Sequence, residues 1–208
     1  MLSRLRAEKL FIKKTKCFFA QKEIEFCRFL VETEGVHTHP DKNKQIAELP
    51  TPTNAKDIRS FLGLAGFYQR FVKNFAQIVV PLTNMLIKDT KFDWSPAAAK
   101  AFQDIRDCIA QTARLAFPDL NRELHLHIDA SNAALGATLS EENKRGEMQL
   151  LICTSRKLNP AEKNYPAHER EFLGLVHALK KWKNYLQGSN VVAHTNNMAL
   201  KYWKTAQK

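Results

Sequence analysis

The order of apolar and polar positions separates a helical first part of the chain from a mixed second part. Residues 23–31 predict a strand that returns through a turn at 32–35. Residues 41–49, 55–75, 76–88 and 96–111 predict helices, the last of them capped by Ser95. The helix at 55–75 places one set of apolar side chains on a single stripe: Ile58, Phe61, Leu62, Ala65, Tyr68 and Val72.

From about residue 116 the pattern alternates between strands and helices. Three stretches predict antiparallel strands, at 122–129, 133–140 and 148–155. A long helix at 167–186 carries apolar side chains on one face: Phe172, Leu175, Val176, Leu179, Trp182 and Leu186. A strand at 191–195 follows, and a further helix is predicted from Asn196 onward. The order predicts an α+β fold, in which a helical module precedes an α/β domain with a mixed sheet. The boundary lies near 89–95 or just before Pro118.

Composition and charge limit the class of protein. The 208 residues include 32 Lys and Arg against 21 Asp and Glu, a net charge of +11, and 44% are hydrophobic. This balance excludes wholesale disorder. The excess of positive charge is spread over both halves of the chain. Such a distribution suits binding to a long polyanion such as nucleic acid, but a surface that only keeps the protein in solution would have the same charge. No apolar run is long enough for a membrane span, and no signal-peptide pattern is present. Four scattered cysteines fit a reducing compartment, so we expect a cytoplasmic or nuclear location.

Two acidic residues are candidates for metal chemistry. Asp129 ends a predicted strand in HIDAS, where small neighbours leave room for a phosphate, and Glu171 lies at the start of the long helix. Carboxylates from a strand end and a crossing helix suit two-metal phosphodiester hydrolysis. The alternatives are a capping role for Asp129 and a solvated charge for Glu171. A third ligand is expected after VVAHT, where Asn196 and Asn197 stand.

Other polar residues have two interpretations. His125, His127 and His168 are possible ligands, but a polar strand face explains the first two more simply. Basic side chains are candidates for nucleic-acid binding: Arg28, Arg70, Lys73, Lys180, Lys181 and Lys183. Arg70 and Lys73 stand among aromatic residues (Tyr68, Phe71 and Phe75). The alternative is that these aromatics belong to the core and the lysines to a solvated face.

Several strings together carry a family resemblance. These are PTPTNAKDIRSFLGLAGFYQRFVKNFAQIVVPLTNMLIK, FDWSPAAAKAFQDI, HIDASNAALGATLS and SRKLNPAEKNYPAHEREFLGLVHALKKWKNYL. They resemble the pol polyprotein of gypsy-type LTR retrotransposons. The resemblance implies the end of a reverse-transcriptase palm with a primer-grip-like hairpin at 1–40 and a thumb at 41–88. It also implies a connector at 89–115 and, at 116–208, an RNase H-like domain truncated at its C-terminus.

The resemblance also implies roles for individual residues. Asp129 corresponds to the family's first RNase H carboxylate and Glu171 to its helix glutamate, which would hold Mg²⁺ or Mn²⁺ and act on RNA–DNA hybrids. The family's T-D-H-x-x-L pattern reads Thr195-Asn196-Asn197 here, so Asn196 replaces an aspartate. The fourth family carboxylate is expected beyond Lys208.

Two further departures concern the polymerase half. The family's Y-x-D-D motif occurs nowhere in the sequence, so no polymerase chemistry is expected from this chain alone. In the hairpin, Arg28 replaces a glycine of the family's F-L-G-H-V-V string. If the backbone has a positive φ there, this substitution carries a conformational cost.

These substitutions leave two functional hypotheses. An amide is a poorer Mg²⁺ ligand than a carboxylate, so hydrolysis of RNA in a hybrid is expected to be lost or weak. Restoring Asn196→Asp alone should rescue little. The first hypothesis is a reverse transcriptase/RNase H fragment that is an enzyme by descent. The second is a non-catalytic nucleic-acid-binding or interaction module, or a decayed element.

Overall fold

The fold is described by a computed structural model that covers residues 2–111, 114–119 and 121–195. Its helices are α1 (Leu2–Ala7), α2 (Pro40–Ala47), α3 (Ala55–Phe67), α4 (Phe75–Ile78), α5 (Val80–Asn84), α6 (Pro96–Ala110), α7 (Ala167–Lys181) and α8 (Lys183–Leu186). Its strands are β1 (Glu23–Phe26), β2 (Phe29–Glu32), β3 (Gly35–Thr38), β4 (Leu115–Ala116), β5 (Leu124–Ala130), β6 (Ala134–Glu142), β7 (Met148–Lys157) and β8 (Val191–His194). None of the helices in these ranges is both long and apolar enough to cross a membrane.

The first sheet has the strand order β1-β2-β3-β4, with antiparallel neighbours. The prediction of one strand at 23–31 is wrong, because the chain reverses between Phe26 and Phe29. Both residues of the connection have positive φ, 51° at Cys27 and 70° at Arg28. A two-residue hairpin loop of this kind favours Asn-Gly, and a side chain with a Cβ is disfavoured there. The conformational cost expected at Arg28 therefore applies.

One hydrophobic core is formed by α2, α3, α6 and the segment from Tyr68 to Met85, which contains α4 and α5. Along α3 and its continuation, the predicted stripe is buried at Ile58, Phe61, Ala65, Tyr68 and Val72, with Leu62 packed against it. The helix ends at Phe67, however, and a 3-10 turn at Gln69–Phe71 replaces its predicted last turns.

Helix α6 packs on this helical core. It begins at the predicted cap, where Ser95 Oγ accepts a hydrogen bond from the Ala98 amide. The Phe61 and Phe102 ring centroids lie 4.5 Å apart. The chain then adds β4 to the first sheet, with Leu115 opposite Val36. The chain therefore stays packed on the helical core and the first sheet as far as Ala116.

The second sheet is mixed, as predicted. Its strand order is β7-β6-β5-β8, and only the β5–β8 pair is parallel within the described residues. Leu124, Leu126 and Ile128 form a second core with α7 and Trp182.

The predicted contact face of the long helix is wrong in part. The buried residues of α7 are Gly174 and Ala178, whereas Phe172 and Leu179 are 42% and 41% exposed. Small residues allow the helix to approach the sheet closely, so the contact line runs through them. The helix also ends at Lys181, and α8 is a separate short helix. A helix predicted from Asn196 onward lies outside the described residues.

The helical part is joined directly to the second sheet. The Ala76 amide in α4 donates a hydrogen bond of 2.9 Å to Ser155 Oγ in β7. The Lys157 ammonium, also in β7, donates to Thr83 Oγ1 at 3.0 Å and to Asn84 Oδ1 at 2.8 Å. These contacts place the segment before α4 next to the end of β5.

Candidate nucleic-acid and metal site

Asp129 stands near the end of β5 on the face that points away from α7. The strand alternates buried Leu124, Leu126 and Ile128 with more exposed His125, His127 and Asp129. Successive side chains of a strand point to opposite faces, so the two histidines and the aspartate share one face, as predicted. Across the strand pair Asp129 is opposite Gly136 of β6.

A cleft of about 530 Å³ opens at Asp129. Its walls come from three parts of the chain: Lys73 and Asn74 from the helical part, His127, Asp129, Gly136 and Thr138 from the β5–β6 pair, and His194 and Thr195 from the end of β8. The cleft is therefore bordered by a lysine, an aspartate and two histidines. A site of this composition suits a charged, phosphate-bearing ligand better than an apolar one.

The helical part contacts Asp129 directly. Asn74 Nδ2 donates a hydrogen bond of 2.6 Å to Asp129 Oδ2, although the two residues are 55 positions apart. The side-chain oxygen of Asn74 lies above Gly136, where a Cβ would overlap it. Asn74 is not among the site residues predicted from the sequence. An asparagine between Lys73 and a buried Phe75 carries no local signal of so distant a contact.

Glu171 reaches the cleft through Thr195. Glu171 is partly buried in α7, and the Thr195 hydroxyl donates a hydrogen bond to Glu171 Oε2. Thr195 also lines the cleft that contains Asp129, whereas Glu171 is not among its lining residues. Thr195 therefore lies between the cleft and the glutamate. Asn196, which the resemblance predicts to replace a family aspartate, lies outside the described residues.

Comparison with known proteins identifies the family. The profile of the "RNase H-like domain found in reverse transcriptase" matches residues 94–193. The Pol polyproteins of transposons 297 and opus from Drosophila melanogaster are 36% and 30% identical, each over 97% of this chain. This chain carries the RNase H-like domain of a reverse transcriptase. It spans about a fifth of the length of these two relatives (19% and 21%), and membership of the gypsy subgroup stays a prediction.

Solved structures agree with the fold of this RNase H-like chain. The foamy viral protease–reverse transcriptase in complex with dsDNA has a TM-score of 0.71 and 18% identity, over 89% of this chain and 39% of the other. The same enzyme in complex with an RNA/DNA hybrid also gives 0.71, with 19% identity over 93% and 27% of the two chains. At this identity the likeness concerns the fold. It confirms the prediction of a mixed α+β architecture.

Three histidines form one cluster on the open face of the RNase H-like sheet. The rings of His127 and His194 are stacked, with centroids 4.4 Å apart, and His125 Nδ1 lies 3.0 Å from His194 Nε2. Burial and the neighbouring His194, His125 and Lys73 lower the pKa of His127. The lowered pKa favours the neutral form of the His127 imidazole. His194 joins the cluster because β8 pairs in parallel with β5, and local sequence patterns do not predict that register.

The predicted basic residues fall in different places. Lys73 is exposed and lines the cleft. Arg70 stands over the Phe29 ring, with its guanidinium carbon 5.5 Å from the centroid. Arg28 is exposed in the β1–β2 turn. Three exposed lysines follow Glu171. Lys180 and Lys181 end α7, about ten residues or 15 Å along the helix from Glu171, and Lys183 begins α8.

The aromatic residues near Arg70 belong to the core. Tyr68 is 1% exposed, and Phe71 and Phe75 are each 7% exposed. The core interpretation of these rings is therefore confirmed. They are not available to stack on nucleic-acid bases, so any binding by Arg70 and Lys73 must use the charged side chains alone.

A separate set of potential metal ligands lies in the first sheet. Within the described ranges, Glu23, Glu32 and His37 place one possible ligand atom each within 4.8 Å of one another. Glu32 is already paired, with His37 Nε2 at 3.0 Å and Arg114 Nη2 at 2.8 Å. The hydrogen bond from His37 and the charge of Arg114 lower the pKa of Glu32. The geometry is that of an ion-pair network, and it includes neither Asp129 nor Glu171.

Proposed function

We propose that this chain binds RNA–DNA hybrids at the Asp129 cleft and holds Mg²⁺ too weakly to hydrolyse them efficiently. The supporting observation is the cleft itself, in which Asp129, Lys73 and Thr195 meet and from which Thr195 reaches Glu171. The net charge of +11 adds a long-range attraction for a polyanion. The foamy viral protease–reverse transcriptase, which shares this fold, has been solved in complex with an RNA/DNA hybrid, and this supports nucleic acid as the ligand.

Asp129 in the cleft and Glu171, which lies behind Thr195, are donors that fit a divalent cation. Mg²⁺ prefers hard oxygen ligands and is often held by one or two carboxylates, with water and phosphate oxygens in the other positions. Asp129 and Glu171 would supply those carboxylates. When bound, the cation would stabilise charge that develops on a phosphodiester oxygen. Lys73 would attract the phosphate backbone, and the Thr195 hydroxyl would orient Glu171.

The weak point of this site is the residue that follows Thr195. The family pattern has an aspartate there, and this chain has Asn196. An amide is nearly the same size as a carboxylate, but it lacks the negative charge and one oxygen ligand. We infer that at least one cation is held weakly, while binding through phosphate contacts and duplex shape persists.

A competing proposal is that hydrolysis is retained. Its support is the family membership of the chain together with the presence of Asp129 and Glu171.

We also propose the domain assignments that the resemblance implies, whichever of the two functions holds. They are the palm end at 1–40, the thumb at 41–88, the connector at 89–115 and the RNase H-like domain at 116–208.

A cleavage assay distinguishes the two. The full chain is incubated with a labelled RNA–DNA hybrid and either Mg²⁺ or Mn²⁺, beside the variants Asp129→Asn and Asp93→Asn. The second variant makes the same change at an exposed position in the connection before α6. We expect no cleavage that depends on Asp129. Cleavage by the wild type and by Asp93→Asn that disappears in Asp129→Asn would establish a hydrolase.

Binding is measured separately with the same hybrid in Ca²⁺ or without metal. We expect the affinity to fall as salt rises, with a clearly negative slope of log K against log salt. A slope near zero, or no binding at low salt, would remove nucleic acid from the proposed function.

A further inference from the structure

The backbone at Asn74 is held by the helical core. Asn74 connects the 3-10 turn at Gln69–Phe71 to α4, and its φ of 55° lies in the left-handed region. Asparagine tolerates this conformation better than most residues. Its neighbours Val72 and Phe75 are 2% and 7% exposed, so the corner is anchored on both sides. The position of Asn74 is therefore set by packing that is independent of the cleft.

The same corner is attached to the second sheet. The Ala76 amide, two residues after Asn74, donates to Ser155 Oγ of β7 at 2.9 Å. The Lys157 ammonium reaches Asn84 Oδ1 at 2.8 Å further along the helical part. These two bonds hold the segment from Asn74 to Asn84 against β7.

Gly136 provides the space that Asn74 occupies. It lies opposite Asp129 in the β5–β6 pair, and a Cβ at this position would overlap the side-chain oxygen of Asn74. Any larger residue would displace the amide from Asp129. Gly136 and Asn74 thus form a matched pair, one lacking a side chain and the other filling that space.

The hydrogen bond from Asn74 fixes an exposed carboxylate. Asn74 Nδ2 lies 2.6 Å from Asp129 Oδ2. A carboxylate has two oxygens and about four lone-pair positions, so one donor leaves room for a cation. Hydrogen bonds to a ligating carboxylate set its orientation, and losing one such partner commonly lowers metal affinity 10- to 100-fold.

We propose that Asn74 is a positioning residue, which orients Asp129 for a divalent cation. The inference rests on the proposed metal site at Asp129. It means that the site is built from two parts of the chain, since Asn74 lies before the matched RNase H-like region at 94–193. The helical part then contributes to cation affinity as well as to the fold.

The test measures Mn²⁺ binding to the full chain by electron paramagnetic resonance. Asn74→Gly removes the amide and keeps a residue suited to the positive φ. Gly136→Ala displaces the amide and leaves Asn74 and Asp129 in the chain. We expect both variants to bind Mn²⁺ about 10- to 100-fold more weakly. The control Asn121→Gly makes the same change at an amide that donates to another carboxylate, that of Asp119, and neither residue lines the cleft; this variant should stay within about twofold of the wild type.

A double-mutant cycle supplies a readout without metal. The variants Asn74→Gly, Asp129→Ala and their combination are unfolded in urea. If Asn74 and Asp129 interact, their effects will not be additive. The unfolding equilibrium constant of the double variant should then differ at least about threefold from the value calculated by adding the free-energy effects of the two single variants.

The outcomes separate the two levels of the proposal. No Mn²⁺ binding by the wild type, or binding unaffected by Asp129→Asn, would overturn the proposed metal site and the positioning role with it. Normal binding in both Asn74→Gly and Gly136→Ala would overturn the positioning role and leave the metal site standing. Tighter binding in these variants would also overturn it, because Asn74 would then obstruct the cation. An additive cycle would show that the contact does not form in solution.

Discussion

Gly174 in α7 lies so close to Ile128 in β5 that a Cβ on the glycine would come within 2.8 Å of the isoleucine Cγ2. Ile128 immediately precedes Asp129, and Glu171 stands three residues before Gly174. The contact therefore fixes the spacing between the strand and the helix that carry the two candidate metal ligands. It also explains why a helix with bulky apolar residues packs through its small ones.

Gly174→Ala should therefore destabilise the protein. Alanine in a helix is favoured over glycine by about 0.5–1 kcal/mol, but overpacking against Ile128 costs about 1–3 kcal/mol. We expect a net loss of about 1 kcal/mol in the free energy of unfolding, measured with urea. The control is Gly63→Ala in α3, where a Cβ would have no neighbour within 4 Å and the same change should stabilise. Equal effects of the two substitutions would contradict the close contact.

The β1–β2 turn provides a second test. Arg28 has a φ of 70°, which a glycine adopts without the cost of a Cβ. Arg28→Gly should raise the free energy of unfolding by about 0.5–1 kcal/mol, after allowance for the greater entropy of glycine in the unfolded chain. Arg28→Ala removes the same charge and keeps the Cβ, so it should bring no gain. If both variants behaved alike, the effect would belong to the charge and not to the backbone.

The sequence predicted what depends on local periodicity. The alternation in β5 placed His125, His127 and Asp129 on one face, and the spacing in α3 identified Ile58 and Phe61 as core, because both patterns are set within a few residues.

What the sequence did not predict depends on packing between distant segments. The turn at Cys27 and Arg28 uses residues that carry no turn signal, since hairpin turns favour glycine and asparagine. The buried line of α7 passes through Gly174 and Ala178, which a count of bulky apolar residues overlooks. The Asn74 contact joins residues 55 positions apart and follows from how the helical part sits on β7.

The Arg156–Glu162 pair predicts a dependence of stability on pH. The guanidinium donates to both carboxylate oxygens, at 2.7 and 2.8 Å, and this pairing lowers the pKa of Glu162 to about 2. Because the pKa of the folded state is lower than that of the unfolded state, the stabilisation is present above about pH 4.5 and is lost as the pH falls toward 2.

The expected size is about 1 kcal/mol, since the pair is only partly buried. Glu162→Gln should therefore be less stable than the wild type at pH 6, and the difference should shrink by pH 3. Urea unfolding at a series of pH values measures it. A difference that stays constant over this range would show that Glu162 does not carry the pH dependence.

The lysines at the end of α7 should contribute to hybrid binding if the cleft holds a duplex. They lie about 15 Å along the helix from Glu171, well within one turn of a duplex, which is about 34 Å. Each phosphate contact contributes about 0.9 to the slope of log K against log salt for duplex DNA. The double variant Lys180→Gln/Lys181→Gln should therefore reduce the magnitude of the slope by up to about 2.

The matched control is Lys144→Gln/Arg145→Gln, which removes two charges from the exposed β6–β7 turn. It changes the net charge equally, so a long-range effect of charge alone would lower the slope in both variants. A reduction confined to the α7 variant identifies local phosphate contacts. An unchanged slope in that variant would assign Lys180 and Lys181 to a solvated face that takes no part in binding.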